Sequence, residues 1–246
     1  MMTSLFDQFN IPALLGMNMM LMTMLLPPML IFTNPSRLIT DRTATLMEWI
    51  IKMATKHFMA LLNEKGHKWA PMLAALFFMI LTQNIIGLLP YTFTPTTQLA
   101  MNMALAIPLW LGTVLLGLRT QPTKALAHLL PEGTPTPLIP VLIIIETVSL
   151  LMRPLALGVR LTANMTAGHL LLQLISSTTL VTIKSSPLLT LPTGTLLIML
   201  MALEFAVAII QAYVFTLLMC LYLQENTYDT PNTPISHSNT EPMTYS

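Results

Sequence analysis

The sequence predicts an all-α polytopic membrane protein of about six helices, and three observations predict it. Of 246 residues, 54% are hydrophobic and only 9% are charged, against roughly 25% charged in soluble domains. Mean hydropathy is +0.70. Apolar runs of about 20 residues or more recur along the chain, each long enough to cross roughly 30 Å of hydrocarbon. Backbone in lipid must satisfy its own hydrogen bonds, which selects helices for such runs.

The first run, 11–33, predicts a span that Pro27 and Pro28 kink or end. No basic n-region and no small-residue cleavage site mark it as a signal peptide, so a retained helix is expected. Residues 37–68 hold six of the eleven basic residues: Arg37, Arg42, Lys52, Lys56, Lys65 and Lys68. Within this segment Leu46, Ile50, Met53, Ala54, Phe58 and Leu61 recur at helical spacing, with Glu48 and Lys52 as an i,i+4 pair. The pattern is that of an amphipathic helix lying at the membrane interface.

Two spans follow, 70–89 and 99–118, joined by an uncharged turn and expected to pair as a short hairpin. The linker 119–140 carries Arg119, Lys124, His128 and Glu132 and is broken by Pro131, Pro135, Pro137 and Pro140. Eight basic residues lie in 37–68 and 119–140, against Lys184 on the other face. The positive-inside rule puts these two segments on the side of synthesis. The run 138–183 would span about 70 Å as one helix, more than twice the hydrocarbon thickness. Either it breaks near Pro154 or Gly158, or it is one tilted helix paired with the last run, 188–223. These elements make one membrane domain, 1–223; residues 224–246 are rich in Thr, Ser, Asn and Pro and read as a disordered tail.

Composition excludes several functions. A net charge of +1 without basic runs argues against nucleic-acid binding. The single cysteine, Cys220, permits neither a disulfide nor a Cys/His metal site and reads as a small core residue. No protease, hydrolase or phosphate-loop motif occurs, and no cofactor is implied. Twenty-one methionines against one cysteine is a skew that an organellar code reading an extra isoleucine codon as Met would produce.

The chemistry lies in the long runs. Arg160 sits in the middle of 138–183, where an arginine costs roughly 2.5–3.5 kcal/mol to insert and does not shed its charge by deprotonating. Glu146, Arg153 and Arg160 are spaced seven apart on one stripe, with Ala156, Ala163, Asn164 and Ala167 beside Arg160. Small residues let another helix approach, so this face is expected to meet a partner and not lipid. His169 points about 180° away, toward where Glu204 of the last run can meet it; Glu204, Ala208 and Gln211 share a face. Duller readings stand beside these. Arg160 can neutralise Glu146 or Glu204 in a structural pair, His169 can be a packing residue, and Arg153 can snorkel or bond carbonyls freed by Pro154. An imidazole beside a carboxylate is also a workable proton relay.

Five blocks carry a resemblance: GLLPYTFTPTTQL (87–99), GTPTPLIP (133–140), IETVS (145–149), ALGVRLTANMTAGHL (156–170) and LEFAVAIIQAYVF (203–215). With them the chain resembles the subunit a family of the mitochondrial F-type ATP synthases. The resemblance implies a multi-pass protein of the mitochondrial inner membrane, non-catalytic alone, partnered by a c-ring and other Fo subunits and conducting protons. It implies Arg160 as the stator arginine facing the ring, supported by Asn164 and Gln211. His169 and Glu204 would line one half-channel, and Glu146 would belong to the other. It also implies that the long runs form a strongly tilted hairpin curving round the ring. Relatives usually stop near residues 223–227, so 224–246 departs from the pattern. The competing class is a self-contained ion channel or an antiporter-like subunit of a respiratory complex, which would conduct protons alone.

Overall fold

The computed structural model describes residues 42–62, 64–89, 92–120 and 139–227, together with 9–10, 13–14, 17–18, 20, 23–25, 29 and 122. Near the amino terminus, β1 (Ala13–Leu14) and β2 (Met17–Asn18) pair antiparallel, Ala13 opposite Asn18 and Leu14 opposite Met17. This corrects the expectation of a helix running from residue 11. Pro12 lacks an N–H, and Gly16 is about 1 kcal/mol worse than Ala in a helix, so the start of the run is a poor helix former. Helical backbone recurs at residues 20, 23–25 and 29, and the rest of the 11–33 run lies outside the described residues.

Helix α1 (Arg42–Leu61) carries the Glu48–Lys52 pair at 2.7 Å. Its apolar stripe divides in two. Phe58 is buried and packs edge-on against Phe77, whereas Leu46, Trp49 and Met53 are exposed, as an interfacial helix requires of the side that meets lipid. A 3-10 turn (Glu64–Trp69) leads into α2 (Ala70–Gly87), with Pro71 in its first turn, where a missing N–H breaks no bond. A second 3-10 turn (Pro95–Thr97) precedes α3 (Leu99–Thr120).

Helix α4 (Ile139–Ser185) runs unbroken for 47 residues through Pro154 and Gly158, and after Ser186 helix α5 (Pro187–Thr227) returns for 41. Of the two alternatives for 138–183, one long helix is what forms. At about 1.5 Å per residue it measures roughly 70 Å, so an α4 kept within one bilayer lies strongly inclined. Near its end Thr178, Thr179 and Thr182 each donate to the carbonyl three residues back, so these three hydroxyls present no free donor to lipid.

Helix α5 is the axis of the bundle. α2 packs on α5 and α1, while α3 packs on α4 and α5, so the predicted α2–α3 hairpin does not close on itself. The reason is small residues at the seams: Ala106, Ala208 and Ala212 are 0% exposed, and in lipid close backbone approach supplies the packing energy. Leu73, Ile80, Leu157, Leu161, Phe215 and Met219 fill the core, and Cys220 is buried among them. Trp69, Leu116 and Leu223 line one cavity, so the start of α2 and the ends of α3 and α5 share one end of the bundle. Among the described residues four helices are long and apolar enough to cross a membrane.

The tail expectation is corrected at its start. Residues 224–227 continue α5, because they have partners: Glu225 Oε2 lies 3.1 Å from Arg153 Nη1, and Asn226 Nδ2 donates to the Tyr222 carbonyl. Arg153 also sits over the Tyr222 ring, 5.4 Å from its centroid, and so ties α4 to α5 instead of snorkelling. Residues 228–246 lie outside the described residues.

Candidate functional site

Helix periodicity divides α4 into two faces around its centre. Leu157, Leu161 and Met165 are 3%, 1% and 1% exposed and point into the core. Arg160 points the other way and is exposed, as are Ala156, Ala163, Asn164 and Ala167 around it. A permanent cation therefore stands on an open strip of small side chains inside an apolar span. Among the described residues Arg160 has no ion-pair partner, so the neutralising pair with Glu146 or Glu204 is not formed. A charge left unpaired there stays in the fold if something outside the chain compensates it.

Where α4 meets α5, the polar residues couple across the seam. Asn164 Nδ2 donates to Gln211 Oε1 at 2.9 Å, and Gln211 is buried. The bond holds the Arg160 face in register with α5, since Asn164 is one turn from Arg160. Half a turn from that face, His169 Nε2 lies 3.9 Å from Glu204 Oε1, the carboxylate side chain only 5% exposed. Gly168 makes this possible: a Cβ there would stand 2.7 Å from Glu204 Oε1. The His169 ring nitrogen and both Glu204 oxygens have no hydrogen-bond partner among the described residues.

Positions along α4 follow from its rise. His169 is nine residues beyond Arg160, about 13.5 Å along the axis, and Glu146 is fourteen residues before it, about 21 Å the other way. Glu146 is half-buried and makes no ion pair among the described residues. The arrangement thus puts carboxylates on opposite sides of a fixed cation, with no direct contact between them. Carboxylate and imidazole can exchange protons with water; the guanidinium holds its own.

Several contributors escaped the sequence reading. Gly168 was visible as the small residue beside His169, but its use depends on Glu204 arriving from α5. Gln83 and Asn84, adjacent amides in the middle of an apolar run, are 1% and 0% exposed; two amides at such a depth were a signal that went unused. His57 bonds through Nε2 to the Tyr213 hydroxyl at 3.1 Å and so docks α1 on α5.

Comparison with known proteins is extensive. A family model described as ATP synthase A chain matches residues 15–224. The chain is 60% identical over 223 residues to the ATP synthase F(0) complex subunit a of Struthio camelus, covering 91% of this chain and 98% of that protein. The corresponding subunit of Tropidurus hispidus is 61% identical over 212 residues, 86% of this chain and 100% of its own length. That of Gadus morhua is 58% identical over 223 residues, with 91% and 98% covered.

Proposed function

This chain belongs to the ATP synthase A chain family, and from that premise we propose that it is the proton-translocating stator of the Fo sector in the mitochondrial inner membrane. It is non-catalytic by itself. Its partners are a c-ring seated on the Arg160 face, the other Fo subunits, membrane lipid and protons.

Charge dictates the mechanism. A ring carboxyl crosses lipid neutral, because an ionised carboxylate there is costly, and it ionises where it meets Arg160. His169 and Glu204 serve one half-channel and Glu146 the other, each open to a different side. Arg160 cannot pass a proton on, so it blocks a direct leak between the two and makes each transfer require ring movement. Asn164 and Gln211 keep the cation in register with the hairpin. The membrane potential contributes about 2.3 kcal/mol per charge per 100 mV to each passage.

The observation that carries this reading is Arg160 itself, exposed on a small-residue face and unpaired among the described residues. Arg160→Lys is expected to assemble yet to abolish proton-driven ATP synthesis, because a lysine loses its charge in an apolar site where arginine does not. Normal synthesis at matched assembly overturns the stator reading.

A further inference from the structure

Buried side-chain polar atoms that lack a hydrogen-bond partner among the described residues concentrate in one region. They include Gln83 Oε1 and Nε2, Asn84 Oδ1 and Thr96 Oγ1, besides His169 Nε2 and the Glu204 carboxylate. Contacts bring together the segments that carry these residues. Asn84 Nδ2 donates to the carbonyl of Ala208, one turn beyond Glu204 on α5, at 3.3 Å. Gly87, one turn beyond Gln83, lies against Thr94 and close to Met165, which is one turn before His169. Asn102 Nδ2 donates to the Thr96 carbonyl at 2.6 Å and to Thr162 Oγ1 at 2.7 Å, fixing the Pro95–Thr97 turn on α4. The end of α2, that turn and the helices that carry His169 and Glu204 are therefore neighbours in the bundle.

Gln83 is the unexplained member. Its amide is 1% exposed, and neither of its polar atoms is bonded among the described residues. Burying such a group in a lipid-embedded bundle is strongly unfavourable unless something solvates it. A polar cavity offering several partners holds water for this purpose. An amide suits a proton path, since it donates and accepts at once and so orients water in either direction without retaining the proton.

We propose that Gln83, beside Asn84, is a positioning residue that holds water on the α2 side of the path to Glu204 and His169. The access path then has three walls, α4, α5 and α2, and the Pro95–Thr97 turn stands at its side. This rests on the reading of His169 and Glu204 as a proton path.

The test uses the assembled complex in vesicles, measuring proton-driven ATP synthesis and passive proton flux against pH. Gln83→Leu, which removes both polar atoms at similar volume, is expected to lower flux about tenfold at matched assembly. Gln83→Asn is expected to restore most of it. Normal flux in Gln83→Leu, or no rescue by Gln83→Asn, overturns the proposal. Should the leucine variant fail to assemble, Gln83→Glu decides: a carboxylate in a water path shifts the pH profile of flux, and an unshifted profile overturns the assignment. Glu204→Gln is the reference. Flux lost in that variant but retained in Gln83→Leu removes only the α2 wall, whereas flux retained in both removes the reading on which it rests.

Discussion

Replacing Gly168 by alanine separates position from stability at the His169–Glu204 seam. A Cβ at 168 would lie 2.7 Å from Glu204 Oε1, 3.0 Å from Cδ and 3.3 Å from Cγ, while ordinary contact begins near 3.4 Å, so the carboxyl must retreat by about 0.7 Å. The carboxyl is the free end of a flexible side chain, so it yields and the α4–α5 backbone stays where it is. Alanine moreover gains roughly 0.8–1 kcal/mol over glycine in a helix interior. Assembly and thermal stability are therefore expected to hold or rise slightly. His169 and Glu204 already stand 3.9 Å apart, and a misplacement of about 1 Å at a reacting group costs up to about a hundredfold in rate. Proton-driven ATP synthesis in reconstituted vesicles is expected to fall roughly ten- to a hundredfold. Gly158→Ala is the control, since its Cβ would meet the flexible Met103 Sδ at 2.7 Å with the nearest backbone atom at 3.6 Å. That variant touches neither His169 nor Glu204 and should synthesise ATP at the parental rate. Full activity of Gly168→Ala at matched assembly would refute the argument, as would a loss of assembly, which would make the glycine a packing requirement.

Exchanging the residue types, His169→Glu with Glu204→His, should retain more proton flux than neutralising either residue, because one acid and one base stay in contact; a swap no better than the single neutral variants would assign the two residues separate packing roles. Glu225→Gln removes the pair formed with Arg153, the two side chains being 54% and 27% exposed, and at such exposure should lower the thermal stability of the complex by less than about 1 kcal/mol with no change in synthesis rate; a large drop in rate would place this pair on the proton path. Truncation after Thr227 should leave assembly unchanged, whereas truncation after Leu223 removes both Glu225 and the Asn226 contact with Gly117 and should weaken it; equal yields from both, measured on native gels, would show that the last turn of α5 contributes nothing.

Composition and periodicity, which are local properties, were enough to establish membrane class and helical content. Apolar length alone predicts helices in lipid, and the stripe through Ala156, Arg160, Ala163 and Ala167 was legible because 100° per residue puts those positions together on any α-helix. The sequence left open whether 138–183 breaks at Pro154, because a proline weakens one helical bond but does not say whether the neighbours compensate. Burial of Pro154 and Leu157 against the bundle accompanies a helix that stays whole. It also placed the end of α5 too early: Gln224 and Glu225 look like the start of a polar tail until Arg153, 72 residues away, supplies a partner. Where Gln83, Asn84 and Gly168 act depends on which helix faces which, and α2 meeting α5 instead of α3 follows from alanines at the seams across long separations in sequence. By itself, then, the chain determined its solvent, its helices and the position of a cation that lipid cannot tolerate without reason. Tertiary packing alone decided which polar atoms share a compartment, because in a bundle held by close van der Waals approach the choice of partner lies in side-chain shape across the interface and not in the pattern along either helix.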